Sequence, residues 1–236
     1  MGNTRFTGQI LRSGSGANQK WFSDYPVGFS PDYVWFWDDF TGAAINATND
    51  WVVVKDSGAA VALVTDAAGG EVSLTSTATT DDDGASIRGM EIFLPAAGRS
   101  IWFEARVKLS SAADQDAFIG LCEKFTTNPE ASLLASNRIG FQINDGSASI
   151  LCKTEASDTE TSTASGVLAV DATYVRLGFQ VLGTGAVRFF VNRQLVATHS
   201  TNIPATELAP VLFSLSGSVT GTRTLIADYI SAVATR

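Results

Sequence analysis

The residues that could do chemistry in this sequence include two short acidic runs. Asp81, Asp82 and Asp83 are consecutive, and Asp114-Gln115-Asp116 forms a second, sparser group. Ca²⁺ binds clustered carboxylate and carbonyl oxygens, so either run is a weak candidate for a calcium loop. Three consecutive side chains reach one ion only through a sharp turn, and a solvated acidic loop is the alternative. We therefore assign no metal or other cofactor from the sequence.

Two further residues, one histidine and one glutamate, are of types that catalyse reactions. His199 is the only histidine, which excludes a metal site built from several histidines. A Ser-His-Asp triad also needs an activated serine and an orienting acid, and nothing near His199 supplies them. We expect His199 to be a surface residue at a strand end. Glu104 lies between apolar neighbours in a strand-like run, so we expect it to be solvated or paired across strands.

Two cysteines, Cys122 and Cys152, are too few for a disulfide framework. Each lies in a strand-like run, so the sequence favours two buried or half-buried free thiols. A single bridge between neighbouring strands is the alternative.

The charge and hydropathy of the chain exclude several partners. The chain has 236 residues and a net charge of −8, so nucleic acid and anionic membrane surfaces should repel it. No apolar run approaches the roughly 18–20 residues that span a bilayer, and the first residues do not form a secretion signal. We expect the chain to fold in a cytoplasm.

The N-terminal region differs from the rest of the chain. Residues 1–20 are polar and basic, so they are either a disordered tail or an arm that binds a partner. Residues 21–40 are rich in aromatic residues, and Pro26 and Pro31 argue against a helix. Such a segment can cap a sandwich core, anchor an interface or stack against sugars. The predicted interface residues are Arg5, Arg12, Lys20, Trp21, Phe22, Tyr25, Phe29 and Tyr33.

The elements that would position these residues are strands. Apolar and polar residues alternate over residues 101–109 and 174–181, which places one face of each strand against a core. Asn192-Arg193 lies where a two-residue hairpin turn belongs, although Arg is a poor residue for positive φ. About a dozen to fourteen strands at short spacing predict an all-β sandwich over residues 36–236, preceded by an arm over residues 1–35.

Four runs carry a resemblance to a known fold family. They are SIWFEARVKL at 100–109, YVRLGFQV at 174–181, VRFFVNRQLVATH at 187–199 and TLIADYISAV at 224–233. These runs resemble concanavalin A-like or laminin G-like jelly rolls, which implies an antiparallel two-sheet sandwich. The fold hosts lectins, glycanases, adhesion modules and virion proteins, so it does not by itself define a function.

A narrower resemblance is to structural proteins of tailed bacteriophages. The matching runs are WVVVKDSGAA at 51–60, IWFEARVKLS at 101–110 and GVLAVDATYVRLGFQV at 166–181. The resemblance implies a capsid decoration or cement protein on the virion surface, assembled in the host cytoplasm. Its implied partners are the major capsid protein and further copies of itself, with a trimer preferred. A tail or fibre component is the other implied location.

Carbohydrate chemistry is the alternative that the resemblance leaves open. Jelly-roll glycanases carry paired carboxylates in an arrangement like Glu-x-Asp-x-x-Glu, because retaining hydrolysis needs two carboxyl groups about 5–5.5 Å apart. No such run occurs here, so we predict no catalytic residue and no enzyme. A carbohydrate-binding module that contacts a host surface is the alternative function. Trp102, on the outward side of its strand, is its predicted glycan contact.

Overall fold

The structure is a computed structural model that describes residues 32–47, 50–77, 81–125, 137–217 and 221–236. These residues form fifteen strands and no helix. No described segment is therefore a helix that could cross a membrane. The strands are β1 (Tyr33–Asp38), β2 (Val52–Lys55), β3 (Ala60–Leu63), β4 (Val72–Thr75), β5 (Gly84–Arg88), β6 (Ser100–Leu109), β7 (Gln115–Cys122), β8 (Arg138–Ile143), β9 (Ser149–Ala156), β10 (Thr159–Leu168), β11 (Val175–Leu182), β12 (Ala186–Val191), β13 (Gln194–His199), β14 (Ala209–Ser216) and β15 (Thr224–Thr235).

The strands form two antiparallel sheets that pack face to face. Sheet I has the order β13-β12-β11-β6-β15-β4-β3, and β1 pairs with β15 beside this path. Sheet II has the order β10-β9-β8-β7-β14-β5-β2. The predicted all-β, antiparallel two-sheet sandwich is confirmed.

The core forms where the inward faces of the two sheets meet. The period-two pattern of β6 places Phe103 inward, where its ring stacks on that of Phe179 with centroids 4.8 Å apart. Phe141 of sheet II contacts Phe179 and Phe189 of sheet I at 6.4 and 5.4 Å. All four rings are fully buried. Apolar burial of this extent is the dominant favourable contribution to folding.

Two tight hairpins use turns with positive φ at both central residues. Asn192 and Arg193 have φ values of 48° and 67°, which is the pattern of a type I′ turn. The hairpin predicted at this position is confirmed, and Arg193 adopts the left-handed region although it has a Cβ. Asn192 compensates in part, because its Oδ1 accepts a hydrogen bond of 3.0 Å from the Arg176 amide. Ser157 and Asp158 make the equivalent turn between β9 and β10.

The predicted division between arm and sandwich falls inside a strand. β1 begins at Tyr33 and pairs with β15 along its whole length, so residues 33–35 already belong to sheet I. The ring of Phe36 packs edge-on against Trp51 at 5.0 Å, and the Trp51 indole donates a 2.6 Å hydrogen bond to Asp38. Residues 1–31 lie outside the described residues, so the arm itself stays a prediction.

Candidate functional site

The outer face of sheet II is built by the alternate residues of its central strands. β7 and β8 pair so that Phe118 lies opposite Gln142 and Gly120 lies opposite Gly140. Because side chains alternate along a strand, the residues between them, such as Ile119, point into the core. The middle of this outer face therefore carries one aromatic ring, one carboxamide and two residues without side chains.

The glycine pair leaves the backbone of the two central strands bare. A Cβ on Gly140 would lie 2.5 Å from the Ile119 carbonyl oxygen and 2.7 Å from the ring of Phe118. A Cβ on Gly120 would lie 2.3 Å from the Ile139 carbonyl oxygen. Such distances are far inside van der Waals contact, so both positions require glycine. The ring of Phe118 consequently lies over the bare backbone at Gly140.

Next to this glycine pair is a cleft of about 510 Å³, a size typical of small-molecule sites. Its lining combines apolar side chains with carboxyl, carboxamide and guanidinium groups. Phe118 and Phe213 are 1% and 5% exposed, so they form a closed wall rather than an open stacking platform. The lining residues are Asp82, Asp116, Ala117, Phe118, Arg138, Gln142, Ile143, Asn144, Asp145, Phe213 and Leu215.

Three carboxylates from three chain segments meet at one end of the cleft. Asp116 is the second residue of β7, Asp145 lies in the turn between β8 and β9, and Asp82 precedes β5. The Asp145 amide donates a 3.1 Å hydrogen bond to Asp116 Oδ1, and the Asp82 amide donates to the Ser216 carbonyl at 3.0 Å. Asp145 packs directly against Gly217. A Cβ added to Gly217 would lie 2.3 Å from the Cβ of Asp145, so this position has no room for a side chain. The backbone therefore fixes this acidic end.

The electrostatics of the acidic end favour a proton on one carboxyl group. Burial is the main cause that raises the pKa of Asp116 to about 6, and the negative charges of Asp145, Asp82 and Asp81 contribute to the same increase. The hydrogen bond from the Asp145 amide opposes this increase. A carboxyl group with a pKa near 6 can both accept and donate a proton close to neutral pH.

A network of four charged residues lies beyond the cleft on the same face. Arg138 Nε is 2.6 Å from Glu155, and its Nη2 is 3.4 Å from Glu160. Lys153 bonds to Glu160 at 2.6 Å. Arg138, Lys153 and Glu155 are each less than 9% exposed, and burial raises the pKa of Glu155 although Arg138 opposes the shift. The guanidinium of Arg138 reaches the cleft with its charge balanced by two glutamates.

The predicted calcium candidates partly converge on this cleft. Asp82 and Asp116 both line it, whereas Asp83 accepts a 3.2 Å hydrogen bond from the Thr77 hydroxyl. Asp114 forms an ion pair with Arg223 at 3.2 Å. Across the described ranges, no group of three or more His, Cys, Asp or Glu residues is arranged to hold a metal ion.

Trp102, the predicted glycan contact, does not offer an open ring face. It points outward from β6 as predicted but is only 3% exposed. It packs against Val233, and Tyr33, Trp35 and Phe190 close around the pair. A sugar ring cannot stack on Trp102 in this arrangement.

Glu104, two residues further along β6, is buried rather than solvated. It is 8% exposed, and the Tyr229 hydroxyl donates a short hydrogen bond to its Oε1. Arg193 lies 3.7 Å from the same oxygen. Burial raises the pKa of Glu104, and the bond from Tyr229 and the charges of Arg193 and Arg176 act against this shift.

The prediction that His199 is a surface residue is wrong. The ring is 3% exposed and stands beside Phe189 at the end of the core. Thr154 donates its hydroxyl hydrogen to the Thr201 carbonyl, so His199 Nδ1–H donates to Thr154 and Nε2 accepts from Thr163, each at 3.0 Å. Burial lowers the pKa of His199. The residue joins β13 of sheet I to two strands of sheet II.

The two cysteines are free and buried, as the sequence favoured. Cys152 lies in the core, where burial raises the pKa of its thiol to about 12. Cys122 packs on the outer face of sheet II with Phe118 and Phe125.

Of the predicted interface residues, the structure places only Tyr33. It is half-buried at the start of β1, with its ring 6.3 Å from that of Trp35. The other predicted interface residues lie outside the described residues: Arg5, Arg12, Lys20, Trp21, Phe22, Tyr25 and Phe29.

Sequence reasoning missed the cleft itself. The sequence did not single out Asp145 or Gln142, and it marked Asp116 only as part of a weak calcium candidate. The one available signal was the alternation of β8, which places Arg138, Gly140 and Gln142 on the same face. Nothing local in the sequence shows that three distant acidic segments meet.

These features define a concanavalin A-like jelly-roll sandwich with a cleft on one outer face. A family sequence profile matches residues 66–228, and the chain belongs to that family, described as SO2946-like, C-terminal domain. A search of curated protein sequences found no match.

Solved structures with the same fold include several enzymes that act on glycans. The β-glucanase of Bacillus licheniformis is 12% identical, with a TM-score of 0.61 over 84% of this chain and 97% of that chain. The laminarinase catalytic domain of Thermotoga petrophila is 12% identical, with a TM-score of 0.59 over 85% and 98%. The endo-β-1,4-glucuronan lyase of Trichoderma reesei is 10% identical, with a TM-score of 0.58 over 84% and 94%.

These comparisons correct one prediction and leave another untested. The exclusion of an enzyme does not stand, because the structural neighbours are glucanases and a glycan lyase. At 10–12% identity the likeness shows the fold and no particular reaction. The jelly-roll part of the sequence resemblance is confirmed, whereas the phage origin and the capsid role stay predictions.

Proposed function

We propose that this chain binds a carbohydrate in the cleft on the outer face of sheet II. The observation that carries the proposal is the meeting of an apolar wall with carboxamide and carboxylate groups in one cleft of about 510 Å³. Ligand sites commonly combine apolar walls with a few convergent polar groups and a perturbed pKa. The cleft has all three features.

The polar lining suits the hydroxyl groups of a sugar. Gln142 and Asn144 are linked by a 2.5 Å hydrogen bond from Nε2 to Oδ1, which orients both carboxamides at the rim. Asp116 and Asp145 offer carboxylate oxygens that accept hydrogen bonds from hydroxyl groups. Phe213 lines the same cleft and is 5% exposed, so it bounds the cleft and does not offer a ring face for stacking.

Asp116 gives the same cleft a candidate proton donor. With a pKa of about 6, its carboxyl group is largely protonated in mildly acidic solution and can protonate a leaving oxygen. Cleavage of a glycosidic bond also requires a second carboxyl group, which either attacks the sugar carbon as the leaving oxygen departs or activates a water molecule for that attack. Asp82 and Asp145 line the same cleft and are the candidates for this second carboxyl group. We therefore test glycan cleavage together with binding.

The test uses the full chain, a panel of oligosaccharides and isothermal titration calorimetry. We expect Gln142→Ala to weaken binding about fivefold to tenfold, because one hydrogen bond is worth about 1 kcal/mol. Asp66→Asn is the matched control, since Asp66 lies in a turn with positive φ that Asn tolerates and does not line the cleft. Released reducing ends are measured on the same panel with wild type and Asp116→Asn.

The outcomes separate the alternatives. Binding that weakens in Gln142→Ala but not in Asp66→Asn supports the cleft. Binding that neither substitution changes places the glycan elsewhere, and the absence of binding across the panel contradicts the proposal. Reducing-end release that Asp116→Asn abolishes makes the chain a glycan-cleaving enzyme.

Attachment to a phage capsid is the second candidate, and an exposed aromatic pair favours it. Trp37 at the end of β1 is 59% exposed and stacks on Tyr229 with ring centroids 5.5 Å apart. Exposed Trp is frequent in binding hot spots, and the basic, aromatic residues 1–31 come directly before the same strand in the sequence. We expect the chain to bind assembled major capsid protein, as a trimer.

The capsid test mixes full-length protein with capsids that lack it. Removal of residues 1–31, which leaves β1 intact, and Trp37→Ala should each reduce cosedimentation, while Asp66→Asn should not. Sedimentation velocity gives the oligomeric state. Capsids that never retain the full-length protein would contradict this role without affecting the carbohydrate proposal.

A further inference from the structure

A second groove, lined by exposed apolar side chains, lies at the end of the sandwich where β5 finishes. This β5 groove has a volume of about 400 Å³ and shares no lining residue with the cleft of sheet II. Met90 is 61% exposed, and Val52 and Ile92 are 40% and 38% exposed. Large apolar side chains that share one exposed groove mark an interaction surface.

Acidic side chains line the same groove. Asp50, Glu91 and Glu207 contribute three carboxylates, and none of them belongs to an ion pair of the described ranges. The cation among the lining residues, Arg88, is buried, and its guanidinium donates hydrogen bonds to two backbone carbonyl oxygens. The β5 groove therefore fits an apolar partner that also carries positive charge.

Strand β1 brings the N-terminal segment, residues 1–31, close to this groove. A Cβ on Gly89 would lie 2.9 Å from the ring of Phe36, so β1 passes directly beside the residue that precedes Met90. β1 begins at Tyr33, which is about 10 Å further along the strand than Phe36. The N-terminal segment is thus joined to the sandwich within about 20 Å of the groove.

The N-terminal segment has the composition that the groove requires. It contains three basic residues against one acidic residue, so the segment and the groove have opposite charges. Lys20 directly precedes Trp21 and Phe22, which puts one positive charge next to two large aromatic side chains. Aromatic side chains supply much of the apolar area that interfaces bury.

We propose that the N-terminal segment docks in the β5 groove of its own chain. Trp21 and Phe22 pack against Met90. The ammonium group of Lys20 pairs with the carboxylate of Glu207. The chain between Phe22 and β1 spans up to about 36 Å when it is extended, which is long enough to reach the groove.

Docking within one chain is favoured over docking between copies, because the covalent connection gives the segment a high effective concentration at the groove. The inference depends neither on carbohydrate binding nor on capsid binding. It assigns a partner to a groove that neither candidate function uses.

Hydrogen–deuterium exchange of full-length variants tests the docking. Met90→Asp adds a charge to the groove at a position outside the strands, and should raise amide exchange in residues 20–25 about tenfold. Val170→Asp is the matched control, because Val170 is 60% exposed, lies outside the strands and does not line the groove. Equal exchange in wild type and Met90→Asp would overturn the proposal.

A charge exchange tests the ion pair. Lys20→Glu and Glu207→Lys should each raise exchange in residues 20–25 about threefold, because an exposed ion pair contributes modestly. The double variant restores opposite charges and should return exchange to the wild-type rate. A double variant that exchanges as fast as either single variant overturns the placement of Lys20 beside Glu207.

Carbodiimide crosslinking identifies the chain that supplies the segment. The sample is an equal mixture of isotopically labelled and unlabelled full-length protein, and mass spectrometry assigns the crosslinked peptides. Crosslinks of Lys20 to Glu207 that join only peptides of the same labelling support docking within one chain. Crosslinks between labelled and unlabelled peptides overturn the proposal and make the groove an interface between copies.

Discussion

At the scale of single residues, burial sets the chemistry of the titratable groups. Asp116 has a pKa of about 6, with burial as the main cause and neighbouring carboxylates as the second. Burial lowers the pKa of His199. The two shifts have opposite directions because burial disfavours the charged form of any group, which is the anion of Asp and the cation of His. The sequence positions of these residues carry no sign of either shift.

Replacing Asp116 by Asn should stabilise the protein at neutral pH. The raised pKa means that ionising Asp116 costs more in the folded chain, so this cost grows as the pH rises from about 4 to the folded pKa near 6. Asn stays neutral and keeps the acceptor for the Asp145 amide. We expect the free energy of unfolding at pH 7.5 to rise by about 1–2 kcal/mol after allowance for solvent screening.

Urea unfolding of wild type and Asp116→Asn checks this prediction. The gain should vanish by about pH 3, below the ordinary Asp pKa of 3.8, where Asp116 is largely protonated in both the folded and the unfolded chain. A gain of the same size at both pH values would show that it comes from packing and not from ionisation.

Replacing His199 by Gln should remove one group whose protonation lowers stability in acid. The folded pKa lies below the ordinary value of 6.5, so the unfolded chain binds the proton first and stability falls as the pH drops below about 6.5. Gln keeps hydrogen-bonding groups but does not titrate. When the pH falls from 7.5 to 5, the change in the free energy of unfolding should be less favourable in the wild type than in His199→Gln by about 1 kcal/mol.

Paired urea titrations at the two pH values measure this difference. All other titratable groups are common to the two proteins, so their contributions cancel. If the free energy of unfolding changed by the same amount between the two pH values in wild type and variant, His199 would not contribute to the pH dependence of stability.

At the scale of elements, the pairing of β7 with β8 determines the floor of the cleft. Gly120 and Gly140 lie opposite each other, and each lacks room for a Cβ because a carbonyl oxygen of the partner strand is too close. The close approach lets Phe118 lie over the backbone at Gly140. Glycine is a weak strand former, yet these two glycines allow the close packing that forms the floor of the candidate site.

Gly140→Ala should be strongly destabilising. The added Cβ would lie 2.5 Å from the Ile119 carbonyl oxygen and 2.7 Å from Phe118, so strands or ring must move, at a cost of about 2–4 kcal/mol. Gly185→Ala is the matched control, since its Cβ would meet nothing closer than the Leu182 carbonyl oxygen at 3.7 Å. Thermal unfolding of the two variants measures the contrast, and equal melting temperatures would refute the steric argument.

At the scale of the whole molecule, the two outer faces of the sandwich differ. The face of sheet I carries Trp102 and Glu104, both buried, together with the exposed Trp37. The face of sheet II carries the cleft and the network of Arg138, Lys153, Glu155 and Glu160. The formal net charge of −8 counts every acid as ionised, whereas burial raises the pKa of Glu104, Asp116 and Glu155 and so favours their neutral forms.

The melting temperature of the wild type should rise when the pH falls from 7.5 to 5.5. The pKa values of Asp116, Glu104 and Glu155 are raised, so protonation favours the folded chain and the stability gained this way is lost as the pH rises. His199 opposes this trend but is a single group. We expect an increase of about 2–4 °C, measured by scanning calorimetry at low salt. A lower melting temperature at pH 5.5 would contradict the dominance of the carboxyl groups.

The sequence by itself determined the class of fold and the strands. Alternation over residues 101–109 and 174–181 predicted β6 and β11 to within one residue at each end, because a strand against a core must alternate with period two. The hairpin at Asn192-Arg193 followed from its position between two alternating runs. The free, buried state of Cys122 and Cys152 also followed from local pattern.

The tertiary structure alone decided the environment of the polar residues. The sequence predicted that Glu104 is solvated or paired across strands and that His199 lies at the surface. Residues far away in the sequence bury both side chains, and Glu104 bonds to Tyr229 of the neighbouring strand. Asp82, Asp116 and Asp145 come from segments far apart in the chain, and only the order of strands in sheet II brings them to one cleft. Periodicity is a local property that a sequence records, while burial and the charge of a cleft depend on long-range pairing that no single segment contains.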